Sequence, residues 1–161
     1  MAKKGKGDST QPKGVRIRNR KAFHDYEILE KLECGLALVG TEVKSLRAGQ
    51  AKVDEAYARF DGDELFLVGA NIALYPQAGE QMQHHPTRKR KLLARRRQLH
   101  ALKIRVQQKG LTLLPLAIYF HHGWAKCEIG IARGKQNYDK RDSLRKKDQQ
   151  RDMARAMRQR R

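Results

Sequence analysis

The chain has little of what small catalytic or secreted proteins depend on. Only two of its 161 residues are cysteines, Cys34 and Cys127, and they lie far apart. This excludes a Cys-x-x-Cys metal or redox motif and a disulfide framework, and it points to a reduced, cytoplasmic protein. Hydrophobic residues make up 39% and aromatics 6%. The usual apolar share is about 45–50%, so part of the chain stands outside any core. No apolar run approaches the roughly 18 residues of a transmembrane helix. The opening MAKKGKGDSTQPKG is basic with no apolar stretch behind it, which is not a secretory signal. The glycines match no phosphate-cradling pattern, and the carboxylates form no DxD-type constellation.

What the chain has is positive charge. Thirty-six Lys+Arg against 17 Asp+Glu give a formal net charge of +19. A balance so basic calls for a polyanionic partner, with nucleic acid first among candidates. The charge is also segregated. Residues 22–82 carry five cations and eleven acids, whereas residues 83–110 carry ten cations and no acid. Residues 1–21 and 133–161 are basic blocks with net charges of +7 and +8. Separate basic blocks suggest several distinct contacts with RNA rather than a uniform coat.

Patterning divides the chain into a disordered basic tail (1–18), a folded domain (19–132) and a second basic tail (133–161). A short helical turn is expected from Asn19 to Tyr26. The glycine-bounded run Gly35 to Gly40 is strand-like, and Thr41 caps a short helix ended by Gly49. Val53 to Phe60 and Glu64 to Ala70 read as a hairpin across Asp61-Gly62-Asp63. Leu111 to Phe120 and Trp124 to Ala132 read as another, across His122-Gly123. Between them, Lys91 to Gln108 reads as a helix whose Leu92, Leu99, Leu102 and Val106 fall within a sector of roughly 80°. This succession implies a mainly β fold, a small closed antiparallel barrel with flanking short helices.

Leu93 lies off the apolar stripe of that helix, among Arg88, Lys89, Arg90, Lys91, Arg95, Arg96 and Arg97. An exposed leucine ringed by guanidinium groups suits a nucleic-acid surface, where arginine pairs with phosphate and stacks on bases. His84-His85 and His121-His122 raise the possibility of zinc or a nuclease. Adjacent strand residues point to opposite faces, however, and no carboxylate is spaced to orient either pair, so no metal, cofactor or catalytic residue is expected. The last twenty residues have helix propensity and the i,i+4 pair Met153 and Met157, but no stripe to bury. Such a tail is expected to be disordered alone and helical in an RNA-lined groove.

Five motifs in order carry a resemblance: Asn19-Arg20-Lys21-Ala22 with Asp25-Tyr26; the stretch from Gly35 to Gly49, GLALVGTEVKSLRAG; Gly69-Ala70-Asn71-Ile72; Pro86-Thr87-Arg88-Lys89-Arg90-Lys91-Leu92-Leu93; and Gly134-Lys135 with Tyr138-Asp139-Lys140-Arg141. From about residue 17 to its end the chain resembles the small protein B (SmpB) family, the SsrA-binding proteins of bacteria. The resemblance implies an oligonucleotide-binding (OB) barrel without catalytic activity, a monomer with no membrane partner. It implies binding to the tRNA-like domain of transfer-messenger RNA (tmRNA) and rescue of stalled ribosomes by trans-translation. Glu33, Leu93 and Lys126 match positions that hold this RNA, and Asn19, Lys21 and Tyr26 match a further RNA-facing motif. Gly134, Lys135, Asp139, Lys140 and Arg141 match the start of a tail that works in the decoding centre and the empty message channel. Tyr138 stands where relatives often have His, and more of the tail's contact falls to Met153 and Met157. The competing readings are a ribosomal protein or RNA chaperone with a permanent ribosomal-RNA site, and a nuclease using the histidines.

Overall fold

The computed structural model describes residues 14–107, 110–135, 148–153, 155 and 157. In chain order the elements are β1 (Arg16–Arg18), α1 (Arg20–Asp25), β2 (Tyr26–Leu36), α2 (Gly40–Arg47), β3 (Ala51–Lys52) and β4 (Tyr57–Asp61). They continue with β5 (Glu64–Val68), β6 (Asn71–Ile72), β7 (Arg90–Leu93), α3 (Arg96–Val106), β8 (Leu111–His121) and β9 (Trp124–Gly134). Seven strands form one antiparallel sheet in the order β1-β8-β4-β5-β7-β2-β9. β8 also pairs with β9, so the ladder leaving β8 returns to it, while β3 and β6 pair separately.

The core follows from period-2 alternation. Leu65 and Leu67 on β5, Leu92 on β7, Leu113 and Ile118 on β8, and Ile129 on β9 are buried and pack in one cluster. A smaller cluster of Ala22, Leu114, Leu116 and Ala132 seats α1 on the strands. Pro115 lies within β8, where it has no N–H to donate. The β8–β9 register shifts just after it, which is where a strand tolerates proline. The two expected turns have the backbone they need. Gly62 has φ 63°, and the consecutive residues His122 (48°) and Gly123 (80°) give the double positive φ of a tight hairpin.

Several expectations are corrected. Arg16–Arg18, assigned by composition to the tail, pair with β8 at Ala117, Ile118 and Tyr119. With only Ile17 apolar, such a strand has no periodicity of its own and takes its conformation from its partner. Residues 91–108 are not one helix. Lys91 to Leu93 belong to β7, and α3 begins at Arg96. Strand pairing with β2 and β5 outcompetes a helical sector to which the β7 segment contributed only Leu92. The strand placed at Val53 to Phe60 is β4, starting at Tyr57. α2 is not capped by Thr41. The Val39 N–H donates to the Glu42 carboxylate at 2.9 Å, and the Thr41 hydroxyl instead meets His84 Nδ1 at 2.8 Å.

Candidate nucleic-acid interface

Strand register builds one continuous row on the outside of the sheet. Arg16 lies opposite Tyr119, Tyr119 opposite Lys126, Lys126 opposite Gly35, and Gly35 opposite Leu93. Directly opposed residues share a face, so the row crosses β1, β8, β9, β2 and β7. Its neighbours Ile118, Cys127, Cys34 and Leu92 all lie in the core, which fixes the row as outward-facing. At roughly 4.8 Å per strand it spans about 19 Å, enough to lie along several phosphates. Gly35 is the low point. A Cβ there would lie 3.3 Å from Leu93 Cβ, so its absence lets Leu93 lie across β2 with half its surface exposed.

Glu33 precedes Gly35 by two residues and shares its face. The Tyr119 hydroxyl donates to Glu33 Oε2, and Lys126 Nζ stands 3.3 Å from Oε1. The Tyr119 hydrogen bond, helped by Lys126, holds the Glu33 carboxyl below its ordinary 4.5. Burial and the Glu33 carboxylate push the Tyr119 phenol upward. The pair therefore stays as phenol and carboxylate. Glu33 keeps lone pairs for an RNA donor such as a base amino group or 2′-hydroxyl. The Arg16 guanidinium lies 4.9 Å over the Tyr119 ring and 3.0 Å from Glu128, which also takes Lys31 at 3.2 Å. Trp124, two residues before Lys126, is three-quarters exposed.

Of the residues expected at the RNA face, the structure brings Glu33, Leu93 and Lys126 together and turns two others inward. Asn19 is buried. Its Oδ1 accepts from the Ala22 N–H at 2.8 Å, capping α1, and its Nδ2 donates to the Val53 and Pro115 carbonyls at 2.9 Å each. Every side-chain donor of Asn19 is thus used, and it is a fastener for α1 rather than a surface group. Arg90 is fully buried. It donates to Glu42 at 2.8 Å and to the Ala70, Arg88 and Pro86 carbonyls at 2.7–3.0 Å. Alternation explains this, because Arg90 shares the inward face of β7 with Leu92. Arg88 bonds Glu42 at 2.7–2.9 Å. Lys89 pairs with Asp61, and Lys91 with Glu64. Burial pushes the Glu42 carboxyl up, but Arg88, the Val39 amide and Arg90 outweigh it and hold it below 4.5.

Arg20 and Lys21 are exposed on α1, and Tyr26 packs at its end, opposite Gly134. Lys135 is tied back to α1, its N–H donating to the Asp25 carbonyl at 3.0 Å and its Nζ to the Phe23 carbonyl at 3.1 Å. Tyr138, Asp139, Lys140 and Arg141 lie outside the described residues. Residues 148–153 are helical, and Met153 and Met157 are exposed. His84 is buried between Thr41 and the Ile72 carbonyl. The His121 and His122 rings do meet, edge to face at 4.1 Å, because His122 sits in the turn and not on the strand. Among the described residues no three His, Cys, Asp or Glu side chains gather where they could hold a metal ion. Sequence reasoning missed Glu42, Tyr119, Arg16 and Gly35 as parts of this region. Only register places Tyr119 and Arg16 beside Lys126, whereas the shared parity of Arg90 and Leu92 was visible.

A β protein whose outer strand face carries a fixed carboxylate, a lysine, a stacked arginine and a bare leucine has the acceptor, the donors and the apolar surface that an RNA-binding protein uses. Comparison with known proteins narrows this. A family model described as SmpB protein matches residues 16–159, and the chain belongs to that family. It is 54% identical over 138 residues to an SsrA-binding protein of Salinispora arenicola, covering 86% of each chain. It is 49% identical over 144 residues to an SsrA-binding protein of Gloeobacter violaceus, covering 89% of this chain and 94% of the relative. A solved chain described as "tmRNA-SmpB: a journey to the center of the bacterial ribosome" superposes with a TM-score of 0.65 at 47% identity, over 82% of this chain and 96% of that one.

Proposed function

We propose that this protein is the RNA-binding adaptor of trans-translation. It holds the tRNA-like domain of tmRNA, brings it to stalled ribosomes, and places its C-terminal tail in the empty message channel. The observation that carries the RNA-binding half is the convergence of Glu33, Leu93 and Lys126, from three strands, on one outer face around Gly35. Lys21, Arg20 and Tyr26 extend that face along α1, and the partly exposed Arg88, Lys89 and Lys91 lie at its rim. The sheet belongs to a closed OB-like barrel in this reading, supported by the return of the ladder to β8 through β9. The adaptor is a monomer working in the cytoplasm and has no catalytic step of its own. No described helix is long and apolar enough to cross a membrane.

The test is a binding competition between the tRNA-like fragment of tmRNA and bulk tRNA over a salt series. A preference of at least about tenfold, 1.4 kcal/mol, that persists at moderate salt is expected, because shape is read as well as charge. Equal affinity at every salt concentration would sink the proposal. Chelator-sensitive cleavage of the labelled RNA would favour the nuclease.

A further inference from the structure

The ten cations of residues 83–110 are not equal in the folded chain. Six are paired with five carboxylates of residues 22–82: Arg88 and Arg90 share Glu42, Lys89 meets Asp61, Lys91 Glu64, Lys103 Asp63, and Arg105 Glu30. Lys109 lies outside the described residues. Arg95, Arg96 and Arg97 remain, all exposed and none in an ion pair with a described residue. Arg96 feels Asp63, which Lys103 already occupies at 2.8 Å.

These three follow Leu93, the end of the row described above, by two to four residues. Ala94 packs against the core, and the backbone at Arg95 is still extended, with φ −67° and ψ 141°. Alternation therefore sends Arg95 out on the same side as Leu93. Arg97 is about 200° around α3 from Leu99, which packs on the core, so it faces solvent. Three adjacent guanidinium groups repel one another, and the first turn of α3 holds no acid to offset them. They also sit at the positive end of the helix dipole. An arrangement so unfavourable in the free protein is relieved by an anion.

We infer that Arg95, Arg96 and Arg97 form a phosphate clamp that continues the RNA face beyond Leu93 and supplies most of the salt-sensitive affinity of residues 83–110. This rests on the adaptor reading for the identity of the RNA, and its ligand is the sugar–phosphate backbone of the tRNA-like domain. Guanidinium forks match phosphate oxygens bidentately, and here no internal carboxylate must first be displaced.

The experiment compares full-length wild type, Arg95→Gln/Arg97→Gln, and Lys103→Gln/Arg105→Gln, binding the tRNA-like fragment of tmRNA from 50 to 300 mM KCl. Both doubles remove two charges, and circular dichroism melting checks their folds. The Arg95/Arg97 double is expected to bind roughly tenfold more weakly at 100 mM. Its log–log salt slope should be shallower by about 1.4–1.8, at about 0.7–0.9 per phosphate contact. The Lys103/Arg105 double should keep the wild-type slope. Equal slopes for wild type and the Arg95/Arg97 double overturn the clamp, and so does an equal loss in both doubles. If wild type binds bulk tRNA as well as the tRNA-like fragment while the Arg95/Arg97 slope still falls, the clamp stands and the adaptor reading fails.

Discussion

Glu33 is a carboxylate on the face proposed to receive RNA, and it is held there by the hydroxyl of Tyr119. That bond keeps the group ionised below its ordinary 4.5. A carboxyl with a depressed value contributes its charged interactions fully above the ordinary value and loses them as pH falls through the depressed one. The part of the RNA affinity that rests on the Glu33 carboxylate should therefore hold as pH drops to about 4.5 and fade only below it. Tyr119→Phe removes the donor without removing the ring beneath Arg16. Its affinity should fall about fivefold, corresponding to roughly 1 kcal/mol for one partly exposed hydrogen bond, and its fading should begin at higher pH. Fluorescence anisotropy of labelled RNA between pH 4 and 7 reads both effects; coincident pH onsets would show that Tyr119 does not position Glu33. At this scale the sequence is uneven evidence. The exposure of Leu93 was legible from its neighbours, although the helical angle behind that expectation was wrong and strand alternation is the true cause. Tyr119 carried no local signal, because its partners lie on other strands.

The strands and helices are tied by one buried carboxylate. Glu42, on the first turn of α2, accepts from the Val39 amide, Arg88 and Arg90, and so pins α2 to β7. With both Arg90 and Glu42 fully buried, loss of the acid strands a guanidinium in the core. Glu42→Gln should cost about 3–5 kcal/mol in urea unfolding at pH 7. The carboxyl is held below 4.5, so wild-type stability from this group is present above that pH and declines as the pH falls through the depressed value. The Gln variant lacks that part of the acid loss, so the stability gap between the two should narrow as the pH falls below 4.5. A loss below 1 kcal/mol at pH 7 would mean that the arginines find solvent on their own. Element boundaries were legible where turn chemistry marks them, at Asp61-Gly62-Asp63 and His122-Gly123. No glycine or proline marks the passage from β7 to α3 at Ala94-Arg95, and the break was invisible without strand pairing.

Across the whole molecule the acidic middle of the chain folds against the basic block that follows it, and five of its carboxylates offset half of the ten positive charges from 83 to 110 within the body. The block pattern was plain in the sequence, but its cancellation was not, because pairing depends on which strands become neighbours. The tail is different. Residues 136–161 hold ten cations and four acids, while the body keeps the row from Arg16 to Leu93. β9 ends at Gly134, and Lys135 is still fastened to α1 through the Asp25 and Phe23 carbonyls. In the proposed division between body and tail, the cut therefore falls after Lys135. Deleting 136–161 should leave the melting temperature and the affinity for the tRNA-like fragment at 200 mM salt within about twofold. Binding to bulk RNA at low salt should weaken, since that term follows the number of phosphates neutralised. Peptide tagging on ribosomes stalled at the end of a message without a stop codon should disappear. Retained tagging, or a tenfold loss of specific RNA affinity, would show that the two surfaces do not divide the work between them.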